Sequence, residues 1–296
     1  MAGAAAGAVL VLVLSVAMGW TTAPGAGVPD PAQVAASAAV GSCLTWTQPN
    51  EQDLAQVDCA QPHLFEVTGS ADVSGAFPGG AAFPTGSAWQ QITQQDCTTS
   101  ATSYLGTIDP NGKYVVGALK PTAQLWASGS RTLRCGLQGS DQAGGLMRTT
   151  GPAKGQDQSD VYQPGVCLAL VNKGPGGPVG CNTEHSYEIV GIADLGSKFP
   201  SGYPSVDDQQ TALATMCEPI AAAYTANLDL AKYQLTLTWD TIKQQSWAAG
   251  SHKVNCEIGS RLSDGSGLGP VANSVAGAGG GAAGSAAATT TTLPGG

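Results

Sequence analysis

Charge is scarce in this chain. Lys, Arg, Asp and Glu make up 11% of its 296 residues, well under the ~25% of an average soluble domain. What charge there is leans acidic: 12 basic against 21 acidic side chains, a net charge of −9. No Lys or Arg precedes Lys113. Without a basic stripe there is no electrostatic footprint for nucleic acid. Aromatics are also few, at 6%, so cores of ~100-residue units would be modest and would gain from covalent staples. No C-x-x-C occurs, which removes the usual spacing of paired zinc thiolates. No G-x-S-x-G occurs, so there is no nucleophile elbow, and no Walker-type Gly-rich loop for phosphate. With three His in all, a Ser/His/Asp triad has no signature to rest on.

The chain does contain a long internal repeat, the first feature to look for in any sequence. Cys59-Ala-Gln-Pro-His63-Leu-Phe-Glu66-Val67 is matched by Cys181-Asn-Thr-Glu-His185-Ser-Tyr-Glu188-Ile189. The register extends to Cys43 with Cys167 (124 apart), Phe77-Pro78 with Phe199-Pro200 (122), Cys97 with Cys217 (120), Trp126 with Trp247 (121) and Cys135 with Cys256 (121). A period this long is that of a domain, not of a solenoid repeat. The eight cysteines fall into two sets of four in the same order. The expected architecture is therefore α+β: two tandem, homologous, disulfide-stapled domains, each a small antiparallel sheet with one main helix.

Residues 1–20 carry an uncharged apolar run from Ala4 to Trp20. At ~1.5 Å per residue that run is long enough for a transmembrane anchor or a signal segment. The lack of basic residues leaves the N-terminal amine alone to orient it, or puts the true start upstream. Residues 21–40 read as linker. Repeat 1 spans 41–138, linker 139–163, repeat 2 164–260, and a Gly/Ala/Thr-rich tail 261–296 is expected to be disordered.

Within repeat 1, Cys43 and Cys59 flank a hairpin signal with a longish loop over Gln48–Asp53. Helical spacing of Trp89, Ile92, Cys97, Ala101 and Tyr104 predicts the main helix. Tyr114–Leu119 reads as a strand, with Gln124–Trp126 and Thr132–Cys135 as a final strand pair. In repeat 2, Gly174–Pro178 reads as the turn, and Leu213, Cys217, Ile220, Tyr224 and Leu228 as a helical stripe that Pro219 should kink or break. Tyr233–Trp239 reads as the clearest strand.

Four cysteines per repeat allow three pairings. The expected one joins first with second (Cys43, Cys59; Cys167, Cys181) and third with fourth (Cys97, Cys135; Cys217, Cys256). Disulfide use behind an export segment fits an oxidising compartment. Zinc held by Cys59/His63 and Cys181/His185 is the sharper alternative and has the wrong spacing. On a regular strand His63 and Glu66, like His185 and Glu188, point to opposite faces. The His are expected to be structural, near the disulfide and bonded to backbone. The Glu are expected on a solvated face or in an internal salt bridge, and Trp126 and Trp247 to pack on the third and fourth cysteines. His252 stands where repeat 1 has Arg131.

These residues carry a resemblance. Gly-x-Cys43 opening a strand, Val-Asp-Cys59-Ala-Gln-Pro-His63 with Glu66-Val67, then Phe-Pro and Cys97 in a helix, resemble the septum-formation domain of actinobacterial membrane-anchored envelope proteins. Repeat 2 departs from the pattern with Glu184 where the motif has Pro. The resemblance implies domains outside the membrane and a role in cell division or envelope assembly. It implies no catalytic residue. The expected function is a non-enzymatic interaction protein of the envelope, without cofactor or metal, whose partners are envelope or divisome proteins or peptidoglycan. The competing expectations are a cell-wall hydrolase using Glu66/Glu188 or His63/His185, and a glycan binder using Trp126 and Trp247.

Overall fold

The computed structural model describes residues 30–141 and 144–276. The expected anchor or signal segment at 1–20 and the end of the tail lie outside them. No helix among the described residues is long and apolar enough to cross a membrane.

Residues 30–40 are not plain linker. Pro31–Ser37 forms a short helix, α1, with Asp30 accepting a hydrogen bond from the Ala32 amide and Pro31 at its first position, where a missing N–H costs nothing. The N-terminal half then builds β1 (Cys43–Thr45), β2 (Ala55–Val57), β3 (Phe65–Asp72), α2 (Gly86–Leu105), β4 (Tyr114–Leu119), α3 (Ala123–Ala127), β5 (Thr132–Ser140) and β6 (Leu146–Met147). The C-terminal half builds β7 (Cys167–Val171), β8 (Gly174–Val179), β9 (His185–Asp194), α4 (Leu195–Lys198), α5 (Val206–Tyr224), a 3-10 turn (Leu230–Tyr233), β10 (Thr236–Thr238), α6 (Gln244–Ala248), β11 (Lys253–Arg261) and β12 (Leu268–Gly269).

Two six-stranded antiparallel sheets result. The first runs β2-β1-β3-β5-β4 with β6 on β5; the second, in the same sense, runs β8-β7-β9-β11-β10 with β12 on β11. One long helix packs on each sheet. Trp89, Ile92, Cys97 and Ala101 are the buried face of α2, and Gln209, Ala212, Leu213, Cys217 and Ala221 that of α5. Each fully buried Leu or Ile in these cores contributes ~1.5–3 kcal/mol of apolar transfer. The helices are stapled to the central strands by Cys97–Cys135 and Cys217–Cys256. Cys43–Cys59 and Cys167–Cys181 tie down the ends of the β1–β2 and β7–β8 hairpins. No cysteine is free.

Several local expectations are corrected. Ala123–Ala127 is a helical turn, not a strand, because the Thr122 hydroxyl caps the Leu125 amide at 3.2 Å. Pro219 does not break α5, which runs through it to Tyr224; the buried Leu213, Cys217 and Ala221 anchor the helix on both sides of the missing rung. The stripe ends before Leu228, since Ala226 and Asn227 adopt positive φ. Tyr233–Trp239 yields only the three residues of β10, because Tyr233 closes the 3-10 turn and Gln234 is left-handed. Gly174–Pro178 is an edge strand, not a turn. The reversal is made by Asn172 and Lys173, both at positive φ, and an edge position tolerates Pro175 and Pro178 without an N–H.

The largest correction concerns the stretches expected to be linker and tail. After β6, Thr149 bridges to His63 and Ala153 is buried. After β12, Val271 bridges to His185 and Val275 is buried. Each half thus ends in a strap that returns across its own first strands. Residues 157–163 then run between the halves: Gln158 Nε2 donates to both Thr107 O and Ala249 O at 2.7 Å. Asn255 exchanges two 2.8 Å hydrogen bonds with the backbone of Tyr162.

Candidate functional site

Two places gather chemistry-bearing side chains: the repeated Cys/His/Glu motif inside each half, and a cleft between the halves.

In the first motif, His63 is 1% exposed and Glu66 2%. His63 Nδ1 sits 2.9 Å from Gln61 O, and its Nε2 lies 3.2 Å from the Thr149 hydroxyl. The Glu66 carboxylate accepts from the Tyr104 hydroxyl of α2 at 2.5 Å and from the Ala153 amide of the strap at 2.6 Å. In the second, His185 and Glu188 are fully buried. His185 Nδ1 sits 2.8 Å from Thr183 O. Glu188 accepts from the Tyr224 hydroxyl, the Ser274 hydroxyl and the Val275 amide, each at 2.6 Å. Burial and the adjacent carboxylate hold both phenols well above the usual tyrosine range. A buried carboxylate is costly unless hydrogen-bonded; here two or three donors satisfy it, and in return it joins sheet, helix and strap.

The expectation that His and Glu point apart fails at the first motif. His63 precedes the regular strand, which starts at Phe65. This irregularity lets the Cys43 sulfur, a His63 nitrogen and a Glu66 oxygen lie within 4.8 Å of one another. Cys167, Cys181 and Glu188 converge in the same way. These sulfurs are in disulfides and so are not the thiolates a metal site needs. Nor does Glu66 or Glu188 lie on a solvated face or in a salt bridge: each is buried and bound by neutral donors.

Trp126 is 2% exposed and donates its indole N–H to Ala81 O at 2.8 Å. The buried Arg131 guanidinium lies 3.9 Å from the Trp126 ring centre and donates to Phe77 O and Trp126 O at 2.8 and 2.7 Å. Trp247 is half-buried, with the His252 ring 4.5 Å from its own, edge-on. Arg131 and His252 thus do the same job: each packs on the tryptophan five residues before it.

The cleft between the halves encloses about 500 Å³. Its walls include Asp109 and Asn111 from the first half, Asp160 from the connecting segment, and Asp240, Lys243 and Glu257 from the second. Asp109 is tied to Ser251 at 2.6 Å and Lys243 to Asn111 at 3.1 Å. Glu257 is 9% exposed, with no hydrogen-bond or ion-pair partner among the described residues. Burial, with the Asp240 charge adding to it, pushes its carboxyl up to about 8. Burial and nearby Asp141 push Asp160 up to about 6 against the pull of Lys113, and Asp160 Oδ1 is buried without a hydrogen bond. None of these residues was singled out from sequence. The signal was present: Glu257 directly follows Cys256 in β11, where the first half has Gly136 after Cys135.

Antiparallel sheets with one stapled helix each, closed by a buried Cys/His/Glu knot, define a disulfide-rich α+β fold. The chain matches the septum formation family over residues 40–256 and belongs to that family. That single match runs across both halves. Two sequences from Mycobacterium tuberculosis, from strains CDC 1551 / Oshkosh and ATCC 25618 / H37Rv, are each 36% identical over 250 residues and are each named an uncharacterized membrane protein. The match takes in 81% of this chain and 55% of theirs, so the chain spans about half the length of those relatives. No solved structure matches.

Proposed function

We propose that this chain is an extracytoplasmic, non-enzymatic interaction module of the cell envelope that serves septum formation. Family membership supports the septal link, and the membrane-protein names of the two relatives support a membrane setting. Four disulfides support an oxidising compartment. The observation that carries the non-enzymatic reading is the burial of the repeated motif: His63, Glu66, His185 and Glu188 are at most 2% exposed, and among the described residues their side chains bond only within their own half. They are scaffold parts with no face toward a substrate. Trp126, equally buried, has no face for a sugar. We further infer that the two halves descend from one duplicated unit, since strand order, both staples and the strap recur.

The partners on this reading are envelope or divisome proteins or peptidoglycan, met by the outer surface and not by the motif. The test is complementation. Deletion in the organism that encodes the chain should disturb septa. A His63→Asn/His185→Asn variant that still folds should restore them. Normal septa after deletion would refute the septal role; failure of the folded variant to restore them would refute the non-enzymatic one.

A further inference from the structure

We infer that the cleft between the two halves binds a ligand carrying a primary ammonium group, with the Glu257 and Asp240 carboxylates as its main acceptors and Asp160 lining the site from the connecting segment. The inference rests on the cleft alone and survives or falls independently of the septal role.

Glu257 carries the argument. A carboxyl group nine-tenths buried, lining a cleft and without a partner is a costly arrangement. The fold does not require it, because the matching position of the first half is Gly136, where an added Cβ would strike the Phe65 ring at 2.3 Å. The second half has room there and fills it with an acid. The orphan acceptor of Asp160 is a second unmet polar group in the same cleft.

The ligand class follows from what the walls offer. Four acids against Lys243 and Lys253 disfavour an anion. Among the described residues no aromatic side chain lines the cleft, so a sugar ring has nothing to stack on there. A divalent ion needs converging oxygens, yet among the described residues the only metal-like clusters are the two in the motifs. The volume of about 500 Å³ is that of a small-molecule or side-chain site, not of a bare ion. An ammonium group, with three donors and one charge, fits two spaced carboxylates that have no other use.

Binding should carry a proton signature. The charged and titratable groups around Glu257 and the cleft are Asp240 after β10, Tyr187 on β9, Arg261 and Lys253 on β11, Lys243 just before α6, Asp109 and Asp160. In the free protein Glu257 is largely protonated at neutral pH; a bound cation draws out the carboxylate and releases that proton.

The experiment is calorimetric titration of the folded chain with Nα-acetyl-lysine amide and with cadaverine, in buffers of differing ionisation heat. We expect one site with a Kd of about 1 mM or tighter, proton release at neutral pH, and no binding of the Nε-acetylated lysine derivative. Glu257→Gln should weaken binding about tenfold or more and abolish the proton release. Asp240→Asn, on an exposed side chain, should weaken it less, and it decides the matter if the Glu257 variant does not fold. The inference is overturned if neither amine binds, if the Nε-acetylated derivative binds equally, if the folded variants bind like the parent, or if Ca²⁺ or Mg²⁺ displaces the amine.

Discussion

The two halves of this molecule agree in their covalent and hydrogen-bonded framework and differ at single positions, one of which lines the cleft between them. Both thread the same strand order, place disulfides at the same two points, and bury a glutamate that joins a helix tyrosine to a returning strap. They differ at single positions. Thr149 gives His63 Nε2 a hydroxyl, whereas Val271 leaves His185 Nε2 buried without a partner. Gly136 stands where the second half has Glu257, and Arg131 stands where it has His252. The shared residues are the scaffold, and the unshared ones include the acid that lines the cleft. What recurs in both halves bonds each half to itself; Glu257, present in one half only, lines the cleft.

The comparison breaks first if the staples are unequal. In the chain-entropy picture, loops of 38 and 39 residues make Cys97–Cys135 and Cys217–Cys256 worth about 4 kcal/mol each. Cys97→Ala/Cys135→Ala and Cys217→Ala/Cys256→Ala should therefore lower denaturant stability alike. A large loss from one pair alone would mean that the halves are not mechanically equivalent.

Next in size are the buried glutamates. Glu66→Ala orphans a tyrosine hydroxyl and an amide and should cost about 3 kcal/mol. Glu188→Ala breaks one hydrogen bond more, from the exposed Ser274, and should cost up to about 1 kcal/mol beyond that. Equal losses would remove Ser274 from the account.

Glu257 sharpens the contrast through pH. Its carboxyl lies near 8 in the fold against 4.5 for an ordinary glutamate. The unfolded chain ionises first, so the native state loses stability as pH rises between those values and levels off above them. Glu257→Gln should remove this slope and gain on the order of 2 kcal/mol near pH 8, water in the cleft discounting the full shift. Asp160, raised to about 6, adds a smaller slope of the same sign. A thermal-melt series from pH 5 to about 9 reads both; a variant that tracks the parent throughout would show that Glu257 is not held neutral.

The smallest effect is a swap. Val271→Thr should give His185 the hydroxyl that His63 has and stabilise by about 1 kcal/mol, while Thr149→Val should cost about as much. Chemical-denaturation midpoints of the two variants should move in opposite directions.

The architecture was readable because it is written in covalent and periodic signals. Cysteine order, the Cys/His/Glu spacing and the helical stripe of Trp89, Ile92, Cys97 and Ala101 all survive in the fold. The straps were missed because two-residue strands and single bridges have no periodicity. Yet Gly145-Leu146 and Gly267-Leu268 are 122 residues apart, and the same register pairs Thr149 with Val271 and Ala153 with Val275. Carrying the repeat past the last cysteine would have found them. The strand assigned to Tyr233–Trp239 failed because local alternation cannot sense a left-handed Gln234. The cleft was out of reach for another reason: Asp109, Asp160 and Glu257 are brought together by the packing of one half on the other, which no local pattern encodes.

The repeated Glu clamps the strap of its own half. Amide hydrogen exchange of Ala153 and Val275 in Glu66→Gln and Glu188→Gln tests it most directly. Glu66→Gln should speed exchange at Ala153 and leave Val275 protected, and Glu188→Gln should do the reverse. Unchanged protection at both amides in both variants would contradict it and return the motif to the search for function.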